Sequence, residues 1–191
     1  AKMCQQEILN CEDENGTISH DLTRARVCSM MAKICTHSGK FEDAFIAIYH
    51  NPSLETKSTD LNILIKAICD SGKLELINEL PQVGIAQEVE AILLSFARAS
   101  DMLDQQVNFY ELLYSFYIYK NDFHDAARIM LAYARRLATE LHIIHHLKLD
   151  ALHRQLHCYT VAINALKMVD EKNRWFIVQP NQVQQTDISS T

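Results

Sequence analysis

The stretch Asn108–Leu137, NFYELLYSFYIYKNDFHDAARIMLAYARRL, decides how the rest of the chain is read. Phe109, Leu112, Leu113 and Phe116 recur at helical spacing, with Tyr110, Tyr114 and Tyr117 beside them at intervals of four and three, separations that place side chains on one helical face. This helix is apolar over more than half its circumference, wider than the stripe of a lone surface helix, so neighbouring helices are expected on two sides. Asn121 and Asp122 interrupt the pattern as a turn and an N-cap, and Phe123, Ala126, Ala127, Met130, Leu131, Ala134 and Leu137 restart it. The expected unit is two antiparallel helices joined by a short turn, with Ala126 and Ala127 small enough for close approach.

The same layout occurs twice upstream. In SGKFEDAF, residues 38–45, a small turn precedes an aromatic residue and an alanine, with Ala32 of the preceding helix expected opposite Ala44. This is the arrangement of a tetratricopeptide-like helix pair. ICDSGKLELI, residues 68–77, repeats it with Leu74 in the place of Phe41 and Ile77 in the place of Ala44, an offset of 33 residues. Phe123 and Ala126 follow 49 residues later. The first interval fits a tetratricopeptide period of about 34 and the second is too long, so degenerate helical hairpins are expected rather than a regular array. A helix over Ala86–Ala99, with Val89, Ile92, Leu93 and Phe96 on one face, fills the longer interval behind Pro81 and Gly84.

Toward the N-terminus, Met3–Leu9 reads as the tail of an earlier helix, which marks the chain as a segment of a longer one. Asn10–Ser19 reads as an exposed acidic loop with an Asn15-Gly16 turn signal. From Asp21 a helix carries Leu22, Ala25, Val27, Met30, Met31, Ile34 and Cys35, capped by Asp21 or Ser19 and stopped at Ser38-Gly39. A short helix through Phe41, Ala44, Phe45 and Ile48 closes at Pro52, and the strand-like run Asn62–Ile65 sits inside a longer helical pattern. In a final helical region from about Glu140 to Val169, Leu149, Leu152, Leu156, Tyr159, Ile163 and Leu166 keep one helical phase while Ile143, Leu147 and Lys148 fall out of it, which predicts a kink or break near His145. The polar stop Asp170–Arg174 precedes the apolar cluster Trp175–Val178. The domain reading is an α-solenoid over residues 1–180 with a polar, mobile tail over 181–191.

Composition agrees with this all-α reading. Of 191 residues, 48% are hydrophobic, enough for a real core, and four Gly with three Pro are too few for the turns of an all-β protein. The formal charge of −6 argues against a surface built to neutralise phosphates or to settle on anionic lipid, so a protein partner is favoured over nucleic acid or membrane. No apolar run approaches the roughly 20 residues of a membrane-spanning helix. Cys4, Cys11, Cys28, Cys35, Cys69 and Cys158 carry neighbours that place several of them on apolar helical faces, so buried reduced thiols are expected rather than three disulfides.

The histidines are the one grouping with metal-ligand spacing. His142 and His146, and His153 and His157, are four apart, and on one continuous helix all four would fall within about 60° of each other. No carboxylate stands at the HExxH offset and the kink would part the pairs, so no metal site or other cofactor is assigned. GxSxG and phosphate-binding glycine loops are absent, and SGK at residues 38–40 lacks the upstream glycine of a Walker motif. An enzyme is not expected, nor a small-molecule substrate. Tyr110, Tyr114, Tyr117, Tyr119 and Tyr133 could stack on RNA bases beside Lys120, Arg128, Arg135 and Arg136, but helical spacing and the acidic balance make core packing the better reading. Trp175 and Phe176 are candidates for a partner contact, with a lid over the last helix as the favoured structural role.

FYELLYSFYIYKNDFHDAARIM, CYTVAINAL (residues 158–166) and WFIVQP (residues 175–180) occur in the order and at the spacing of the nucleoporin one-sixty family, the largest solenoid subunit of the Y-shaped outer-ring complex of the nuclear pore, which this chain resembles. The resemblance implies a structural scaffold of the pore, C-terminal to a β-propeller, located in the nuclear envelope. Its partners would be other solenoid and β-propeller nucleoporins, and its roles pore assembly and transport of messenger RNA and protein without FG repeats. No Phe-Gly pair occurs in the sequence. Two rivals follow from the residues alone: a tetratricopeptide-like adaptor clasping peptides in a groove lined by Asn, Lys and Arg, and a helical metal-dependent enzyme built on converging histidines.

Overall fold

The computed structural model describes residues 18–79, 84–101, 107–140 and 148–175. Among them all regular structure is helical: α1 (Ile18–His37), α2 (Phe41–Tyr49), α3 (Leu54–Asp70), α4 (Glu75–Glu79), α5 (Ala86–Ala99), α6 (Phe109–Tyr119), α7 (Phe123–Glu140), α8 (Lys148–Lys167) and a 3₁₀ turn at Glu171–Asn173. The chain divides into two compact units, Ala1–Asp122 and Phe123–Thr191.

In the first unit α1, α2 and α3 pack against one another, so the first hairpin is closed by the helix that follows it. Gly39, at φ +71°, ends α1 in the left-handed region that a Cβ disfavours. The Lys40 N–H then donates to Cys35 O at 2.9 Å and the Gly39 N–H to Thr36 O at 3.1 Å, using carbonyls the helix leaves over. Ala32 and Ala44, one on each helix, are both buried. On α3, Leu61, Leu64, Ile65 and Ile68 follow the spacing of a core stripe and are fully buried, each contributing on the order of 1.5–3 kcal/mol. Ser53 caps α3 by accepting from the Thr56 N–H, and Asn51 braces the cap by accepting from the Ser53 N–H and donating to Thr56 Oγ1, both at 3.0 Å. The strand-like Asn62–Ile65 therefore lies inside a helix, as its surroundings predict.

Gly72, at φ +73°, repeats the turn of Gly39 before the single-turn helix α4. α5 spans the predicted residues and buries Val89, Ile92 and Leu93, with Phe96 half-buried. α6 packs on α5 and on α4, the two-sided cover expected of its broad apolar surface. Asn108 caps α6, its Oδ1 accepting from the N–H groups of Tyr110 and Glu111. Tyr110, Leu112, Leu113, Phe116 and Tyr117 are buried on it. Asn121, at φ +58°, ends it with the same pair of hydrogen bonds seen at Gly39, from the Asp122 N–H to Tyr117 O and from the Asn121 N–H to Ile118 O. Gly39 and Asn121 thus close their helices with the same pair of hydrogen bonds, and Gly72 shares their left-handed φ and the N–H bond three residues back, to Cys69 O at 3.1 Å.

In the second unit α7 and α8 form a tightly packed helix pair. α7 buries Ala126, Ala127, Ile129, Met130, Tyr133, Ala134 and Leu137. α8 buries only small side chains, Ala151, Cys158, Ala162 and Ala165, which is what lets two helix axes approach closely. Arg174 folds back to donate to Val169 O at 2.7 Å and to Lys167 O at 3.1 Å, satisfying carbonyls at the end of α8.

Several sequence expectations meet the limits of the described residues. Met3–Leu9, the acidic loop through residue 17, Leu141–Leu147 with the kink near His145, Phe176–Val178 and the tail 181–191 lie outside them. α1 is already helical at Ile18, three residues ahead of the expected start, so Asp21 sits in its first turn rather than at its cap. There its carboxylate faces the positive end of the helix dipole. Among the described residues no helix is long and apolar enough to cross a membrane.

Candidate interaction surface

The tyrosines sort by helical phase. Tyr110, Tyr117 and Tyr133 are buried, Tyr114 is half-buried and Tyr119 is exposed. Tyr117 donates from its hydroxyl to Glu90 Oε1 at 2.8 Å, tying α6 to α5, while Lys120 stands 3.9 Å from Glu90 Oε2 and 5.0 Å from the Phe116 ring centre. Such rings stabilise a core and offer no ladder for stacking bases.

The paired histidines do not assemble a described site. His142, His145 and His146 lie outside the described residues, while His153 and His157 are exposed on α8. Among the described residues no three His, Cys, Asp or Glu side chains are grouped to hold a metal ion. Cys28, Cys69 and Cys158 are buried and Cys35 is half-buried. Burial pushes the Cys69 thiol up to about 11, with the neighbouring Asp70 carboxylate adding to it. Cys28 is raised by burial as well, against the opposing pull of Arg24. Both are held as neutral thiols, the opposite of a nucleophile's environment.

A cleft opens beside the two Ser-Gly-Lys turns, lined by Lys40, Phe41, Glu42, Asp43, Lys73 and Glu75 among others. Its charges are mixed, and Lys73 is spent over the Phe41 ring at 5.7 Å from the centre. The basic peptide-clasping groove of an adaptor would need a single sign of charge there.

One buried charge stands out in the first unit. Asp60 on α3 is 2% exposed, its Oδ1 is 3.6 Å from Lys33 Nζ of α1, and its Oδ2 has no hydrogen-bond partner. A long ion pair of this kind links α1 to α3 but adds little net stability, because burial of the carboxylate offsets its attraction to Lys33.

Trp175 follows the 3₁₀ turn, and its indole N–H donates to Lys172 O at 3.0 Å. Its carbonyl oxygen lies 3.1 Å from His124 Nε2, at the start of α7. The ring is 67% exposed, so it does not form the buried cover that a lid requires. Phe176 lies outside the described residues.

The broadest apolar exposure is on α8. Leu149, Leu152, Leu156, Tyr159 and Ile163 are between 37% and 66% exposed, and Leu166, next in phase, is half-buried. This is the stripe that periodicity marks as the helix's packing face. The face that packs is instead the alanine and cysteine side, and Gln155 at its border donates to Ala134 O of α7 at 3.3 Å. Sequence reasoning missed that inner face because Ala and Cys carry little hydropathic weight; their recurrence at 151, 158, 162 and 165 was the available signal. On α1, Leu22, Val27, Met30 and Ile34 are likewise exposed.

Helix pairs with buried thiols and outward apolar stripes define the class of helical-repeat proteins. Comparison with known sequences narrows the class. Residues 16–168 match the NUP160/120 middle TPR family, and the chain belongs to that family. It is 34% identical over 142 residues, 74% of its length, to the nuclear pore complex protein Nup160 of Mus musculus, and 33% identical over the same length to that of Homo sapiens. To the NUP160 of Arabidopsis thaliana it is 27% identical over 175 residues, 90% of its length. The chain spans about a tenth of the length of the curated relatives it matches.

Proposed function

We propose that this chain is a segment of a structural scaffold of the nuclear pore outer ring, an α-solenoid stretch over residues 1–180 that holds other nucleoporins at fixed positions and transforms nothing. The observation that carries the reading is the family match over residues 16–168, laid on helices whose interior is packed and whose exposed apolar side chains are gathered in stripes. Solenoid and β-propeller subunits of the same ring are the partners, the nuclear envelope is the location, and pore assembly with transport of protein and messenger RNA is the role of the whole protein. The full-length protein carrying a fluorescent tag should give a punctate nuclear rim and co-purify with outer-ring subunits. Diffuse cytoplasmic signal without such partners would overturn the proposal.

A further inference from the structure

Asp60 is the one charged side chain buried among the described residues, and its Oδ2 has no hydrogen-bond partner. Among those residues Lys33 alone places a cation within ion-pair distance of it, 3.6 Å from Oδ1, and Lys33 is itself 51% exposed. No described neighbour replaces that cation. Lys57, one turn earlier on α3, donates to Tyr49 O at 3.1 Å and lies 5.2 Å from the centre of the Tyr49 ring. Arg24 is on the side of α1 opposite Lys33, since nine residues at about 100° each end half a turn out of phase.

The two partners depend on each other unequally. Exchanged as a whole for neutral side chains, such a pair changes stability little, because attraction and desolvation nearly cancel. Stripped of its cation alone, it leaves a bare carboxylate in a medium of low dielectric, one of the costliest defects a fold can carry. Lys33, half in water, loses little without Asp60. The helix that bears Lys33 is also poorly placed to offset an orphaned charge. The buried side chains of α1 are all small, Ala25, Cys28, Ser29, Ala32 and Thr36, so its seat on α3 contributes little apolar area.

We propose that the Lys33 ammonium is a charge lock on the first hairpin, and that acylation of its Nζ by an acyl thioester loosens α1 from α3. The ammonium gives one proton to solvent and the free amine attacks the thioester carbonyl carbon. A C–N bond forms as the C–S bond breaks, and the second proton leaves with the thiol. The resulting amide is neutral and keeps one N–H where the ammonium had three. Asp60 is then buried with no cation beside it. The inference is independent of the scaffold reading, which requires no modification of this lysine.

The test compares the 191-residue chain carrying Nε-acetylated Lys33, installed during translation, with Lys33→Gln, Lys33→Arg, Asp60→Asn and the double variant Lys33→Gln/Asp60→Asn. Thermal midpoints read by circular dichroism should fall by at least about 4 °C for the acetylated chain and for Lys33→Gln, and by less than about 2 °C for Lys33→Arg. In the Asp60→Asn background Lys33→Gln should shift the midpoint by less than about 1 °C, because no buried charge is left to orphan. Amide exchange read by mass spectrometry should be at least about tenfold faster in α1 of the acetylated chain, with α6 within about twofold of the parent. Should Lys33→Gln fail to fold, the double variant should still fold, and failure of both overturns the proposal. An equal loss from Lys33→Gln in both backgrounds overturns it as well, since the lysine stem rather than its charge would then matter. So does an acetylated chain as stable as the parent, or one whose α1 exchanges no faster, because Asp60 would then be satisfied without Lys33.

Discussion

α6 and α8 carry apolar residues at the same helical intervals and put them to opposite uses. On α6, Tyr110, Leu112, Leu113, Phe116 and Tyr117 are enclosed by α5 and α4, and a polar cap and a left-handed Asn seal both ends. On α8 the large side chains face outward and the small ones face the neighbouring helix. Periodicity reports that a helix has an apolar face. Whether that face is interior or interface depends on which side chains are small enough to admit another helix.

The sharpest way to break this contrast is to truncate one residue from each helix. Phe116→Ala should lower unfolding free energy by about 3–5 kcal/mol in urea titration, because a fully buried ring leaves a cavity. A loss below about 1 kcal/mol would mean that α6 is not enclosed as described. A chemical probe sharpens the interior side of the comparison. Iodoacetamide at pH 8 should modify Cys69 at least about tenfold more slowly in the folded chain than in urea, read by peptide mass mapping.

The same thiol has a pH signature. Its folded value, about 11, lies above the ordinary 9.0. The neutral form is the one the fold holds, so this contribution to stability is complete below pH 9 and is lost as pH rises through 11. Smaller again is the end of α6. Asn121→Ala should cost about 1 kcal/mol at its positive φ, and Asn121→Gly should be close to neutral. The smallest effect is expected on the outward face, where Leu156→Ala should change stability by less than about 0.5 kcal/mol. A larger loss there would place Leu156 in a core and erase the distinction between the two helices.

Much of the fold was legible in the sequence because local chemistry dictates it. Ser38-Gly39 marks a stop that needs a left-handed residue, Asn121-Asp122 marks the turn between two helical patterns, and the bounds of α5 follow from its apolar phase. The burial of Tyr110, Tyr117 and Tyr133 was likewise predictable from spacing. What escaped was the partition at Asp122, inside the very stretch that reads as one hairpin. A short turn between two helical patterns says nothing about which distant residues each helix will contact. The direction of α8 escaped for the reason given by its alanines: packing selects for size, and hydropathy scales weigh surface. Of the candidate contacts, Trp175 is exposed, and the Leu149–Leu166 stripe of the preceding helix was visible as a helical phase although its outward direction was not.

The chain contains a single tryptophan, and it stands in solvent beside the last turn of structure described in the second unit. Excited selectively, that indole reports on its own neighbourhood, the turn at Lys172 and the start of α7 at His124. A single smooth emission transition on heating would therefore describe the surroundings of Trp175, and circular dichroism is needed to see whether the helices of the chain as a whole melt with it or at a temperature of their own.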